Sequence, residues 1–159
     1  MQGLQSLKSL FKDVIFRIPD YQRGYAWQKR QLIDLWEDLA NLGDNRKHYT
    51  GLISLRAVQP SEYNAERWQA ERWLVIERDY QPYYIVDGQQ RLVTFAILLS
   101  ELFNLICSHP SNRGKTDDQI LVGTYRLSEI REHYLTIRMP QTNVKTYKFG
   151  YERDDPSFN

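Results

Sequence analysis

Between Tyr84 and Ile106 the chain switches abruptly from one structural period to another, and no other stretch restricts the fold as much. Tyr84-Ile85-Val86 is an apolar run of strand type. Asp87-Gly88 interrupts it, and from Gln89 onward Leu92, Phe95, Ala96, Leu99, Leu102, Phe103 and Ile106 mark one helical face. Ile97 and Leu98 add apolar residues beside that face, so the spacing predicts a central, buried helix. Whatever this chain folds into must join a strand to a long helix through a glycine turn.

The flanking segments are read the same way. Leu4, Leu7, Leu10 and Phe11 suggest a short amphipathic start, and Val14–Ile18 alternates like a strand that stops at Pro19. A polar and aromatic loop, Asp20 to Trp27, follows with a hinge at Gly24. Residues 28–40 read as a helix with Leu32, Leu35, Trp36 and Leu39 on one face, ended by Asn41 and Gly43. Tyr49–Val58 is a strand candidate closed by Pro60, and residues 61–72 suggest an inserted helical loop. Trp73–Glu77 and Tyr83–Val86 look like a β-hairpin around Arg78–Pro82. Gln119–Tyr134 reads as partly helical despite Gly123. Val144–Tyr151 alternates as a strand, and 154–159 resemble a helix start, as if the chain were part of something longer.

Composition enters by exclusion. With 159 residues the chain suits a single domain, spanning 1–159, that buries roughly 68–70% of its unfolded surface. Lys and Arg number 21 against 20 Asp and Glu, so a strongly basic nucleic-acid wrapper is ruled out, although a local basic groove is not. The single cysteine, Cys107, forbids an internal disulfide and any multi-Cys zinc site; its apolar neighbours suggest a small buried side chain. His48, His109 and His133 lack metal-ligand spacing. No signal-peptide pattern opens the chain, and the run Leu92–Ile106 is shorter than a bilayer span and interrupted by polar residues. A soluble, cytoplasmic protein without membrane partners is expected.

Two segments carry chemistry. In Asp87-Gly88-Gln89-Gln90-Arg91 the free N–H groups of a helix start can bind an anion, and glycine lets a ligand approach the backbone. Arg91 supplies a guanidinium suited to phosphate. A cation there is misplaced by about 0.3–1 kcal/mol against the helix dipole, which a bound anion would offset. Asp87 could hold a divalent cation or orient water. Alternatively, Asp87 caps the helix and Arg91 pairs with a surface carboxylate. In the second segment, Tyr21, Gln22, Arg23, Tyr25 and Trp27 combine aromatic faces with polar groups, suited to a base and a phosphate. The aromatics, Trp27 above all, could equally staple the following helix to the sheet.

Ile18-Pro19-x-Tyr21-Gln22-Arg23-x-Tyr25-x-Trp27, Tyr49-x-Gly51-x-Ile53, Val86-Asp87-Gly88-Gln89-Gln90-Arg91-Leu92 and Phe149-Gly150-Tyr151-x-x-Asp154-Asp155-Pro156-Ser157 together resemble the N-terminal domain of the GmrSD-type restriction family. The resemblance spans about residues 15–158. It implies an α+β domain of ParB/sulfiredoxin-like type, a small mixed sheet with packed helices. It also implies binding and hydrolysis of a nucleoside triphosphate with Mg2+, coupled to restriction of foreign or modified DNA. On this resemblance Asp87, Gln89, Gln90 and Arg91 are the catalytic candidates, Gln22, Arg23, Gly88, Arg91 and Thr94 the nucleotide contacts, and Asp87 the metal ligand. Partners would be a nucleotide, DNA, a nuclease domain in cis or trans, and a second copy in a homodimer. Val93 before Thr94 departs from the family's usual pattern, and Gln89 and Gln90 stand where sulfiredoxin needs a cysteine, which excludes that chemistry.

Two rival classes stand beside this one: a DNA-binding module whose turn grips backbone phosphate without hydrolysis, and a ParB-like nuclease with its metal on Asp87. Near-neutral charge counts against stand-alone DNA binding, and the lack of clustered acids against a two-metal nuclease. The chain alone is therefore expected to leave plasmid DNA intact with Mg2+ or Mn2+. Metal-dependent nicking that disappears in Asp87→Ala, read on an agarose gel, would promote the nuclease.

Overall fold

The computed structural model describes residues 3–140, 142 and 144–152; the expected helix start at 154–159 lies outside them. The elements run α1 (Leu7–Leu10), β1 (Val14–Ile18), α2 (Lys29–Ala40), β2 (Ser54–Ala57), α3 (Pro60–Tyr63), α4 (Arg72–Arg78), β3 (Gln81–Asp87) and α5 (Gln89–Ser108). After α5 come β4 (Leu121–Val122), β5 (Tyr125–Arg126), α6 (Leu127–Tyr134), β6 (Thr136–Arg138), β7 (Lys145–Tyr147) and β8 (Phe149–Tyr151). The fold is α+β. Its main sheet has the order β2-β3-β1-β8, in which β1 runs parallel to both neighbours and β2 is antiparallel to β3.

Every residue of β1 is buried, because both faces of the sheet are covered. Successive side chains point to opposite faces. Val14, Phe16 and Ile18 join Phe11, Ile85, Leu92 and Val93 under α5. Ile15 joins Trp68, Trp73, Leu74 and Tyr84 on the other side. Fully burying one such side chain is worth about 1.5–3 kcal/mol. Arg17 also lies on that second face, held by Glu71 at 2.7 Å and by the carbonyls of Phe16 and Tyr147. A third cluster, Phe103, Ile120, Leu127 and Leu135, packs the far end of α5 against α6.

Several expectations are corrected. The hairpin over 73–86 is instead helix α4 followed by β3. The apolar run Trp73–Ile76 has no period to separate helix from strand, and burial of Trp73 and Leu74 beneath the sheet favours the helix. Asp79 in the left-handed conformation (φ 55°) ends it. The strand expected over Tyr49–Val58 shrinks to Ser54–Ala57, since Gly51 (φ 95°) turns the preceding residues away from the ladder. The 119–134 stretch holds a small hairpin through Gly123 before α6 begins. Val144–Tyr151 divides at Lys148 into β7 and β8, which belong to different sheets.

Helix α5 is not fully buried. Leu92, Val93 and Phe103 are, whereas Ile97 and Leu105 are exposed. By length and mean hydropathy (1.6) it could cross a bilayer, yet much of its apolar face is spent on two of the clusters above. Helix α2 buries no residue, and its predicted apolar face borders a groove shared with Ile97 and Leu98 of α5. Cys107 is half-buried, with its thiol pushed up by burial and by Asp117.

Lys148 is the break between β7 and β8 and is almost wholly buried. Its Nζ donates to the carbonyls of Phe11 and His133, the latter at 2.7 Å. Burial pulls its pKa from 10.5 down to about 8, partly opposed by Asp13 and Glu132. A neutral amine keeps two N–H donors, matching the two carbonyls. Between about pH 8 and 10.5 the unfolded chain binds the extra proton, so this residue adds stability as pH rises through that window. Urea midpoints at pH 7.5 and 9.5 test this: wild type should gain relative to Lys148→Met at the higher pH. An unchanged difference would mean that the lysine is charged in the fold throughout.

Candidate functional site

Helix α5 starts without a side-chain cap. Its N-cap is Gly88, in the left-handed region at φ 88°. The N–H groups of Gln89, Gln90 and Arg91 therefore have no intrahelical acceptor, and they form the positive end of a long helix. Glycine is required here twice over. A Cβ at Gly88 would sit 3.0 Å from Ile53 Cγ1 and 3.1 Å from the Leu52 carbonyl oxygen, in a backbone conformation that side chains rarely adopt.

That proximity explains the Tyr49-x-Gly51-x-Ile53 element. Residues 51–53 form a strap across the turn. Arg91 lies against Gly51, where a Cβ would come within 2.9 Å of its Cζ, and its Nη1 donates to the Leu52 carbonyl at 2.9 Å. Among the described residues Arg91 forms no ion pair, and Asp87 does not cap the helix. The strap thus holds the guanidinium beside the helix start without neutralising it.

The opposite wall is the loop after β1. Gln22 Nε2 donates to the Val86 carbonyl at 3.1 Å, and Gln89 Nε2 to the Arg23 carbonyl at 2.7 Å. Gln90 is occupied at both ends: Nε2 donates to the Gly24 carbonyl at 3.1 Å, and Oε1 accepts the Ala26 N–H at 2.7 Å. Thr94 donates its hydroxyl proton to the Gln90 carbonyl at 2.8 Å, so the Tyr25 hydroxyl must be the donor in the 2.8 Å Tyr25–Thr94 bond. Two Oε1 atoms of adjacent residues thus differ. That of Gln89 is buried with no hydrogen-bond partner.

Between the walls lies a cleft of about 330 Å³, lined by Gln22, Arg23 and Trp27 and by residues 86–91. That volume falls in the range of small-molecule sites. Seven of the site residues expected from the sequence come together in it: Gln22, Arg23, Asp87, Gly88, Gln89, Gln90 and Arg91. Thr94 is placed behind the wall, buried against Tyr25. Trp27 lines the cleft, although its sequence context favoured a packing role more strongly. Leu52 and Ile53 were not singled out; the glycine that interrupts an otherwise alternating run was the available signal. The Arg23 side chain, among the described residues, has no hydrogen-bond or ion-pair partner. No group of three or more His, Cys, Asp or Glu side chains gathers among the described residues, so Asp87 offers a single carboxylate.

Residues 7–157 match the family described as GmrSD restriction endonuclease, N-terminal domain. The chain belongs to the GmrSD family. No curated protein matches it. Membership ties the domain to DNA restriction, a role whose partners are DNA and a nuclease domain. The family match and the cleft cover the same motifs, since the loop, the strap and the glycine turn all lie within the matched span.

The glycine turn can be tested against an internal control. Gly88 and Gly114 both have positive φ, but a Cβ at Gly114 would meet nothing within 4 Å. Gly114→Ala should cost only the left-handed strain, about 1–2 kcal/mol. Gly88→Ala should lower the melting temperature further, by at least another ~2–4 °C, because it also collides with the strap. Equal losses, read by thermal denaturation, would show that the strap yields freely.

Proposed function

We propose that the cleft binds a nucleoside triphosphate with Mg2+ and hydrolyses it in support of restriction. One observation carries this reading: an uncapped helix start at a glycine turn opens into a cleft with Arg23 and Arg91 on its walls. Backbone N–H groups and two guanidinium groups form an environment for a multiply charged phosphate chain. Asp87 fits Mg2+, which is commonly held by one or two carboxylates together with substrate phosphates and water. Trp27 offers a ring face on which a base could stack.

The metal would neutralise charge developing on the phosphates. The chain's own residues orient and enclose. Arg91, held by the Leu52 carbonyl, is prepositioned for a phosphate oxygen, and Arg23 is free to close over it. In-line phosphoryl transfer needs mainly such positioning and charge stabilisation. DNA backbone phosphate is the second reading, favoured by the same cations. A concave site of this volume suits a nucleotide better than a duplex, and the net charge of +1 supplies little long-range attraction to DNA.

Thermal stabilisation by each of the four ribonucleoside triphosphates, with and without Mg2+, is the direct test. At about 100 times its dissociation constant a ligand contributes ~2.7 kcal/mol, which gives an easily measured shift. Arg91→Ala should abolish that shift. It should lower the stability of the empty protein by only about 0.5–1.5 kcal/mol, the net worth of one hydrogen bond such as that to Leu52. A wild type that no triphosphate stabilises, but that binds DNA with a salt dependence lost in Arg91→Ala, would favour the DNA reading.

A further inference from the structure

We propose that Gln89 and Gln90, adjacent and chemically identical, divide the work of the site: Gln89 Oε1 holds the attacking water, and Gln90 only clamps the loop. This rests on the triphosphate reading above. The two carboxamides are equally buried, each 7% exposed, so accessibility does not separate them. Their hydrogen bonding does. Gln90 has its oxygen and its nitrogen both engaged by loop backbone. Gln89 donates to the Arg23 carbonyl, an acceptor only, which fixes its nitrogen on that side and its oxygen as the unpartnered atom.

A buried acceptor without a donor is costly, by about 1–3 kcal/mol, and calls for an explanation. Here the surroundings narrow it. Gln89 is the first residue of α5 and lines the cleft beside the phosphate-binding N–H groups. A carbonyl oxygen cannot bond a phosphate oxygen, because both are acceptors. The group that meets Oε1 must bring an O–H or N–H. In hydrolysis the O–H that needs holding next to the terminal phosphate is the water itself.

The step balances as follows. The water oxygen bonds to the terminal phosphorus while the bond from phosphorus to the bridging oxygen breaks. The electron pair leaves with the nucleoside diphosphate, and the water proton passes to a phosphate oxygen and then to solvent. Gln89 accepts one O–H of the water throughout and is too weak a base to keep the proton. Its contribution is orientation, with the loop carbonyl of Arg23 fixing the carboxamide plane.

The test uses Gln89→Met and Gln90→Met, which preserve length and remove polarity. A purely structural role ranks them by bonds lost: one for Gln89, two for Gln90. The proposal predicts opposite ranks for turnover and stability. Gln89→Met should lower kcat about 100-fold while retaining the thermal shift produced by a non-hydrolysable triphosphate analogue with Mg2+. Gln90→Met should lower the melting temperature of the empty protein more, on the order of 5 °C, and lose less turnover when assayed well below its melting point. Gln89→Met that loses the analogue shift would overturn the proposal, since Oε1 would then be contacting the ligand. So would greater loss of turnover in Gln90→Met. A wild type that binds triphosphate without hydrolysing it removes the water role but leaves the binding site standing. A wild type that does neither removes both.

Discussion

The site depends on a backbone contact that only glycine permits. At Gly88 the chain leaves β3, turns through a left-handed conformation and enters α5, while residues 52 and 53 cross the turn close enough to leave no room for a Cβ. Three consequences share this cause. The helix starts without a side-chain cap, its first N–H groups face a cleft, and Arg91 lies over Gly51 rather than reaching into solvent. Strap, turn and guanidinium form one packed unit, and a substitution at either glycine would be felt at the other.

Beneath that unit the sheet acts as a rigid support. β1 is buried on both faces, and its parallel pairing with β3 places the end of β1 beside the end of β3. The loop leaving β1 and the turn leaving β3 therefore emerge at the same edge of the sheet. The carboxamides of Gln22, Gln89 and Gln90 join them there. In α/β sheets with parallel strands, ligand sites commonly form outside the carboxyl ends of the strands. The cleft here follows the same physical logic in a smaller mixed sheet.

The parts legible in the sequence were those with a strong period or a strict steric demand. β1 has the expected bounds, and α2 and α5 begin within a residue of expectation. The cleft gathers the two motifs that composition and spacing singled out. What was not legible depended on tertiary context. Trp73–Ile76 carries no period, so only its burial against Ile15 and Tyr84 decides for a helix. Lys148 reads as one more alternating residue, yet its amine enters the interior between two carbonyls and divides a strand in two. The unequal state of Gln89 and Gln90 could not be read from two identical letters. It follows from which loop atoms each side chain meets.

Those loop atoms are main-chain atoms. Gln89 and Gln90 engage the carbonyls of Arg23 and Gly24 and the N–H of Ala26, and Gln22 reaches the carbonyl of Val86. Peptide groups are the same whichever residue carries them. The clamp therefore constrains the path of the loop and leaves its outward side chains, including those of Arg23 and Ala26, free to diverge. A domain built in this way can exchange what it recognises at the mouth of the cleft while the frame beneath stays unaltered. That separation of frame from reader would let relatives in an arms race with foreign DNA change their targets by substitution alone, without rebuilding the fold.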